Sequence, residues 1–185
     1  MTQLNDIPSQ REISNELLLR TFDDSDTHVL FSLTDKNRAY LRKWLPWLDN
    51  CTKEEDTLQY INTNKEARLQ NKSLVFGIFY KGMIAGVVGF NTVDLTAQNA
   101  EIGYWIGEEF QGFGLITKCC AELIKIGFNE LGLQEIRICC AAENTKSRAV
   151  PIRLGFTEDS ILPENENLYG TFVDRVVYKL LKLNH

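Results

Sequence analysis

The sequence has few histidines and lacks the ligand spacing of a zinc site. Its 185 residues include only two histidines, His28 and His185, and no C-x-x-C pair. Zinc sites are built from Cys and His ligands at such spacings, so we expect no metal. An odd number of cysteines, mostly in adjacent pairs, favours buried free thiols in a reducing compartment, and we expect a cytoplasmic protein. The cysteines are Cys51, Cys119, Cys120, Cys139 and Cys140.

Long apolar runs and an excess of positive charge are also absent. No apolar stretch is long enough to span a bilayer, and the polar N-terminus lacks a signal-peptide pattern, so we expect no membrane partner. The net charge of −5 gives no overall positive field to attract nucleic acid, so no nucleic-acid partner is expected. No repeat, linker or low-complexity stretch divides the chain. We expect a single domain over residues 1–185, with about residues 1–12 flexible.

The apolar patterns predict an α/β protein of the α+β type. Helices are expected over residues 26–33, 37–48, 52–70, 114–131 and 144–155, and Pro46 should end or kink the second of them. Strands are expected over residues 17–21, 74–80, 83–93, 100–107, 135–141, 156–161 and 171–181. The short turn at Lys81-Gly82 is typical of an antiparallel hairpin. This order of elements favours one mixed, mostly antiparallel sheet.

A glycine-rich turn joins the strand at 100–107 to the helix that follows it. Glycines let a backbone approach a phosphate closely, and the first N–H groups of a helix have no partner within the helix. The turn therefore predicts an anion site, and ordinary turn chemistry is the alternative. It is not a P-loop, because no Gly-Lys-Ser/Thr follows, and it lacks the third glycine of the dinucleotide fingerprint. The turn reads Gln111-Gly112-Phe113-Gly114-Leu115-Ile116-Thr117.

This turn resembles the acyl-CoA loop, (Q/R)-x-x-G-x-(G/A), of the GCN5-related N-acetyltransferases (GNAT). Ile116 departs from the small last residue, as is familiar in the RimJ/RimL-type branch, which modifies ribosomal protein N-termini. Further motifs resemble that branch in the right order and cover nearly the whole chain. They are Asn37-Arg38, Leu41-Arg42-Lys43-Trp44-Leu45-Pro46-Trp47, Ala100-Glu101-Ile102-Gly103-Tyr104-Trp105-Ile106, Asn144-x-x-Ser147 and Leu154-Gly155-Phe156.

The resemblance implies a fold and a cofactor site. The fold is a single GNAT-like domain with helices on both faces of the sheet, and the strands at 100–107 and 135–141 are splayed to admit acetyl-CoA. The main chain of Trp105 and Ile106 would run beside the pantetheine arm. Asn144 would hydrogen-bond that arm, and its alternative role is a helix N-cap. The pyrophosphate would meet the N–H groups of Gln111, Gly112, Phe113, Gly114, Leu115, Ile116 and Thr117, with Lys118 and Arg148 as further charge partners or simply solvated residues.

The resemblance also implies catalytic residues. Glu101 is the candidate base, directly or through a water, and an exposed strand-start glutamate is the alternative. In many relatives a tyrosine at the position of Pro151 is the catalytic acid. Because that tyrosine is absent here, Ser147 is the candidate donor to the leaving sulfur. Its alternative role is to satisfy nearby backbone. Trp44 and Trp47 border the acceptor site in relatives, and membership of the core is the alternative.

The expected activity is transfer of an acetyl group from acetyl-CoA to a primary amine by direct attack. The acceptor would be a protein N-terminal α-amine, such as that of a ribosomal protein, and the enzyme would be a homodimer. Cys119 and Cys120 lie on a predicted helix away from any base, so no covalent intermediate is expected. Two alternatives remain open: a small-amine acetyltransferase, acting on a polyamine or aminoglycoside, and a non-catalytic acyl-CoA-binding module.

Overall fold

The computed structural model describes residues 2–183, which form eight strands and five α-helices. The helices are α1 (Thr27–Lys36), α2 (Arg38–Leu41), α3 (Glu54–Leu69), α4 (Leu115–Lys125) and α5 (Thr145–Arg153). The strands are β1 (Gln10–Ser14), β2 (Leu17–Arg20), β3 (Leu74–Tyr80), β4 (Met83–Asp94), β5 (Asn99–Ile106), β6 (Glu135–Ala141), β7 (Thr157–Leu168) and β8 (Thr171–Leu181). Within that part of the chain, no helix combines the length and the apolarity that crossing a membrane requires.

All the strands belong to one sheet, ordered β1-β2-β3-β4-β5-β6-β8-β7. Every neighbouring pair is antiparallel except β5 and β6, which are parallel. These two pair only from Asn99 with Glu135 to Ile102 with Ile138. Beyond that point β5 continues with β4 as its partner and β6 continues with β8. The sheet therefore opens into a splay at its centre, and the expected fold is confirmed.

Helices cover both faces of the sheet. Side chains alternate along a strand, so neighbouring Val87 and Val88 belong to different apolar clusters. Val87 packs with Leu30 and Leu33 of α1 and with Ile61 of α3. Val88 belongs to the larger cluster, which includes the buried face of α4. That face is Leu115, Cys119, Cys120 and Leu123, at helical spacing.

The N-terminal segment corrects the expectation that residues 1–12 are flexible. Leu4 and Ile7 are buried in the larger core, and the backbone N–H of Leu4 donates to the Asn71 side chain at 2.7 Å. Arg68 of α3 also donates to the Leu4 and Ile7 carbonyls. The strand β1 then pairs with β2 and is the edge strand of the sheet. Its polar sequence, QREIS, gave no signal because the strand is largely exposed.

Other boundaries differ from the predicted ones for local reasons. The helix expected over 37–48 is only α2, because Pro46 begins a separate 3₁₀ turn, Pro46–Asn50. The helix expected over 114–131 ends as α4 at Lys125 and continues as a π-helical turn, Ile126–Glu130. The strand expected over 156–161 is twice as long, because β7 and β8 form an extended hairpin. At the start of α3, the carboxylate of Asp56 accepts the Thr52 and Lys53 N–H groups.

Candidate active site

A cleft of about 1010 Å³ opens where β5 and β6 separate. Its walls come from β5, the glycine-rich turn, the start of α4, helix α5 and the segment after α2. From Gly103 to Ile106, the edge of β5 that faces away from β4 has no strand partner among residues 2–183. Its backbone groups are therefore available to a ligand lying in the gap. Predicted cofactor residues that line the cleft are Trp105, Ile106, Gln111, Gly112, Gly114, Leu115, Ile116, Thr117, Asn144 and Ser147.

The glycine-rich turn has the backbone of an anion cradle. Gly112 and Gly114 have φ of +83° and +69°, a region that glycine enters most easily, and no atom lies within 4 Å of where a Cβ would stand. Gly114 is the N-cap of α4, so the first N–H groups of that helix are free of helical partners. Two of the residues expected to offer N–H groups to the pyrophosphate are placed differently from the rest. The Gln111 N–H already donates to the Glu108 carbonyl at 3.2 Å, and the Phe113 ring lies against Tyr80 outside the cleft lining.

Positive side chains from α5 reach the turn across the cleft. Lys146 Nζ donates to Gln111 Oε1 at 3.1 Å, and Arg153 Nη1 donates to Thr117 Oγ1 at 2.9 Å. Both residues line the cleft together with Lys43. These cations and the free N–H groups fit the phosphates of CoA. Lys118 and Arg148, the charge partners expected from the sequence, do not line the cleft.

Arg148 is engaged elsewhere. Its guanidinium donates to the Tyr178 hydroxyl at 2.8 Å and to the Ala142 carbonyl at 2.9 Å. These contacts fasten α5 to the sheet rather than to a ligand. Lys146 and Arg153 were missed because a cation on a short helix gives no signal of the element that it faces.

Ser147 lies in a group of hydrogen-bonding side chains. Asn144 caps α5 by accepting the Ser147 N–H at 3.1 Å, so the predicted capping role is present, and its side chain also borders the cleft. The Tyr104 hydroxyl donates to the Ser147 carbonyl at 2.9 Å, and Ser147 Oγ lies 3.3 Å from the Tyr104 oxygen. Cys140 Sγ is 3.2 Å from Ser147 Oγ. No sequence motif predicted these contacts of Tyr104 and Cys140.

Glu101 lies at the root of the splay, meaning the point where β5 and β6 stop pairing, and on the opposite face of β5 from Tyr104. Its carboxylate accepts from Arg175 Nη2 at 3.3 Å and from the Cys139 thiol at 3.5 Å. Glu101 does not line the cleft itself. A second carboxylate, Glu166, lies 3.9 Å from Arg175 Nε. Burial raises the pKa of Glu166, and the nearby Arg175 partly offsets that rise.

The two tryptophans occupy different positions. Trp44 lines the cleft. Trp47 does not line the cleft, but its ring centroid lies 6.2 Å from that of Trp105 and its side chain is 39% exposed. Trp47 therefore presents an aromatic surface beside β5, on the same face as Glu101.

Comparisons with known proteins agree with this architecture. The chain matches the acetyltransferase (GNAT) domain family over residues 16–157. It is 29% identical over 167 residues to the ribosomal-protein-serine acetyltransferase of Escherichia coli (strain K12), covering 90% of this chain and 93% of that protein. RimL, the ribosomal L7/L12 alpha-N-protein acetyltransferase, solved in complex with coenzyme A, is 29% identical and superposes with a TM-score of 0.87 over 92% of this chain and 96% of RimL.

A further solved structure is the Microcin C7 self immunity acetyltransferase MccE, in complex with acetyl-CoA and AMP. It is 30% identical and superposes with a TM-score of 0.91, covering 95% of this chain and 98% of that one. Both structures hold a CoA group in a fold that follows this chain almost from end to end. The family match spans well over half of the sequence, and the chain therefore belongs to the GNAT family of acetyltransferases, which use acetyl-CoA as cosubstrate.

Proposed function

We propose that this enzyme transfers the acetyl group of acetyl-CoA to the α-amine at the N-terminus of a protein, by direct attack of the amine on the thioester. The observation that carries the proposal is the placement of two kinds of group around one gap. Glu101 lies on one face of β5 at the root of the splay, and Ser147 lies in the cleft on the other face. In this proposal, a proton acceptor and a hydrogen donor flank the place where the two substrates meet.

The reaction needs both groups. An α-amine has a pKa of about 8, so it is largely protonated at neutral pH and must lose a proton before it can attack. The C–N bond forms and the C–S bond breaks. An ammonium loses two protons on becoming an amide: the first leaves for solvent before the attack, and the second balances the proton taken up by the CoA thiolate. We assign the removal of the first proton to Glu101, directly or through a water. Ser147 donates a hydrogen bond to the departing sulfur. Positioning of amine and thioester together supplies much of the remaining rate.

The surroundings of Glu101 suit a cationic acceptor. Arg175 carries the only positive charge in its contact group with Glu101 and Glu166, so two carboxylates share one guanidinium. The trio therefore has a net charge of about −1 when both carboxylates are ionised, which attracts an ammonium group. Arg175 Nε is buried and has no hydrogen-bond partner among residues 2–183. A water or a carbonyl of the acceptor would satisfy it.

Replacing Glu101 by glutamine tests its role as a base. General-base catalysis is typically worth about 10²–10⁴-fold, so we expect kcat of Glu101→Gln to fall by that order at neutral pH while acetyl-CoA affinity is retained. The loss should shrink as pH rises toward the pKa of the amine, because more acceptor is then already deprotonated. The matched control is Glu166→Gln, which removes the other carboxylate beside Arg175.

A stable Glu101→Gln enzyme with near-normal turnover at neutral pH would contradict the assignment. A large, pH-rescued loss in the Glu166 variant alone would move the base to Glu166. The melting temperatures of both variants should stay close to wild type, because partly exposed ion pairs contribute only about 0–1 kcal/mol.

The acceptor class is tested by a panel of amines. Peptides beginning with serine or alanine, polyamines and aminoglycosides are each incubated with acetyl-CoA, and the products are identified by mass spectrometry. Acetylation of the peptide α-amine at the highest kcat/KM supports the proposal. Preference for a polyamine or aminoglycoside would replace it with the small-amine alternative. Tight CoA binding without turnover on any acceptor would favour a non-catalytic module.

A second candidate acceptor is an amine that carries a nucleotide. The supporting observations are the exposed Trp47 ring against Trp105 and the similarity to MccE, which was solved with AMP. Stacking of a base on an aromatic ring is worth about 1–3 kcal/mol, so Trp47→Ala should raise KM for an AMP derivative that carries a primary amine roughly tenfold or more. Peptide acetylation by the same variant should change little. Failure of wild-type enzyme to acetylate the nucleotide would remove this candidate.

A further inference from the structure

Three side chains from three different elements converge where the splay begins. Tyr104 comes from the unpaired half of β5, Cys140 from β6 and Ser147 from the first turn of α5. The Tyr104 hydroxyl reaches α5 and lies 2.9 Å from the Ser147 carbonyl oxygen. The ring of Tyr104 therefore bridges the two walls of the cleft, from the strand that would carry the thioester to the helix that carries Ser147.

The hydrogen-bond directions in this group follow from the chemistry of its members. Tyr104 has one hydrogen, and the Ser147 carbonyl can only accept, so Tyr104 donates there. The Ser147 hydroxyl then donates to the Tyr104 oxygen over 3.3 Å. Burial raises the pKa of both Cys140 and Tyr104, so both keep their protons at neutral pH. The Cys140 thiol, 3.2 Å from Ser147 Oγ, is then a donor to that oxygen.

These contacts hold the Ser147 side chain in one rotamer. One neighbour donates to its oxygen and another accepts its hydrogen, which fixes the rotamer of the side chain. The acceptor contact is long for a hydrogen bond between hydroxyl groups, so it is weak and readily exchanged for a better acceptor. A sulfur that gains negative charge as the C–S bond breaks is such an acceptor. The Tyr104 hydroxyl stays anchored on the Ser147 carbonyl throughout.

We propose that Tyr104 is a positioning residue for Ser147, holding the serine hydroxyl oriented and ready to turn its single hydrogen toward the leaving sulfur. The proposal rests on the acetyl-transfer function and on the donor role of Ser147 given above. It adds that part of the work done by a catalytic tyrosine in relatives is here divided between two residues. Ser147 supplies the donor, and Tyr104, from the opposite wall of the cleft, supplies its orientation.

A double-mutant cycle separates positioning from a merely structural role. Tyr104→Phe removes only the hydroxyl, and Ser147→Ala removes the group that it is proposed to orient. We expect Tyr104→Phe to lower kcat roughly tenfold, with KM for acetyl-CoA near wild type. In the Ser147→Ala background the same change should cost less than about twofold, because its target is already absent. Equal losses in both backgrounds, or no loss in either, would overturn the proposal.

The matched control is Tyr178→Phe. Tyr178 is buried, and its hydroxyl accepts from Arg148 of α5, so this variant also removes a hydrogen bond that fastens α5 to the sheet. It does not touch Ser147. We expect a lower melting temperature with kcat near wild type. An equal fall in kcat for both tyrosine variants would show that loosening α5 explains the effect, and would refute positioning by Tyr104.

Crystal structures with CoA supply a readout that does not need turnover. Ser147 should occupy a single rotamer in the wild type and several rotamers in Tyr104→Phe. The same single rotamer in both would refute the proposal even if the kinetics agreed. If the wild type acetylates no amine, the proposed function fails, and the rotamer comparison still decides whether Tyr104 orients Ser147.

Discussion

The turn that precedes α4 can be tested by placing a side chain where the structure has none. Gly114 has a φ of +69°, and no atom lies within 4 Å of the position that its Cβ would take. In Gly114→Val, a branched side chain would occupy the space through which a phosphate reaches the N-terminus of α4. The left-handed backbone would also cost an L-residue about 1–2 kcal/mol, and more for a β-branched one.

The expected loss of affinity follows from the contacts at stake. Hydrogen bonds to charged groups contribute roughly 1.5–3 kcal/mol each, so the loss of two phosphate contacts should weaken CoA binding by about 10²-fold or more. Isothermal titration calorimetry with CoA measures this directly. Differential scanning calorimetry on the same protein measures the strain as a lower melting temperature. The loss of CoA affinity and the fall in melting temperature can have different causes, and the control variant separates them.

Gly132→Val is the matched control. Gly132 has a φ of +71° and equally open surroundings, but it lies beyond the π-helical turn, at the far end from the cleft. The backbone strain should be similar and the melting temperature should fall, while the CoA dissociation constant stays near wild type. Unchanged affinity in Gly114→Val would remove the turn from the cofactor site. Equal weakening in both variants would show that strain, rather than blocked access, causes the loss.

Two further predictions concern groups outside the proposed chemistry. Burial raises the pKa of Cys119 to about 12 and also raises that of Cys120, so neither is a thiolate nucleophile at neutral pH. The variant with both cysteines replaced by alanine should keep kcat and lose stability on the order of 1 kcal/mol per site. A folded but inactive double variant would contradict direct attack. Hydrogen bonds from the Thr52 and Lys53 N–H groups lower the pKa of Asp56, so its contribution to stability is complete above the ordinary pKa of about 4 and is lost as pH falls through the lower folded value. Asp56→Ala should therefore melt earlier than wild type at pH 7, and thermal melts at a series of pH values should show the difference vanishing in acid; a constant difference would refute this origin.

Much of the sheet could be predicted because its apolar strands end at strong turn signals. The predicted bounds of β3, β6 and β8 agree with the structure, and most of the residues next to them are glycine or polar, which do not continue the apolar pattern. The strand β1 could not be found in this way. It has the single apolar residue Ile13, and its stability comes from pairing with β2 and from the Arg11–Glu130 ion pair, both outside its own sequence.

The candidate site was predictable where the backbone defines it and not where side chains meet across the fold. Glycines before a helix start are compatible with a candidate anion turn whatever the fold, and Asn144 precedes α5 as an N-cap should. No local sequence pattern predicted the side chains that contact Glu101. Arg175 is 74 residues away in the chain, and the two meet only because β8 lies beside β6, which lies beside β5. Nothing local to Glu101 indicates that its carboxylate is paired with a guanidinium.

The same pairing bears on how Glu101 could act as the proposed base. A carboxylate bonded to a lone guanidinium is held in its ionised form and is a weak proton acceptor. Here Arg175 is shared, because Glu166 lies on its other side at 3.9 Å and is partly removed from water. A bound amine that carries a proton would make a second cation for the two carboxylates. Transfer of that proton to Glu101 would leave Arg175 paired with Glu166, so no charge in the group would lose its partner at the moment of attack.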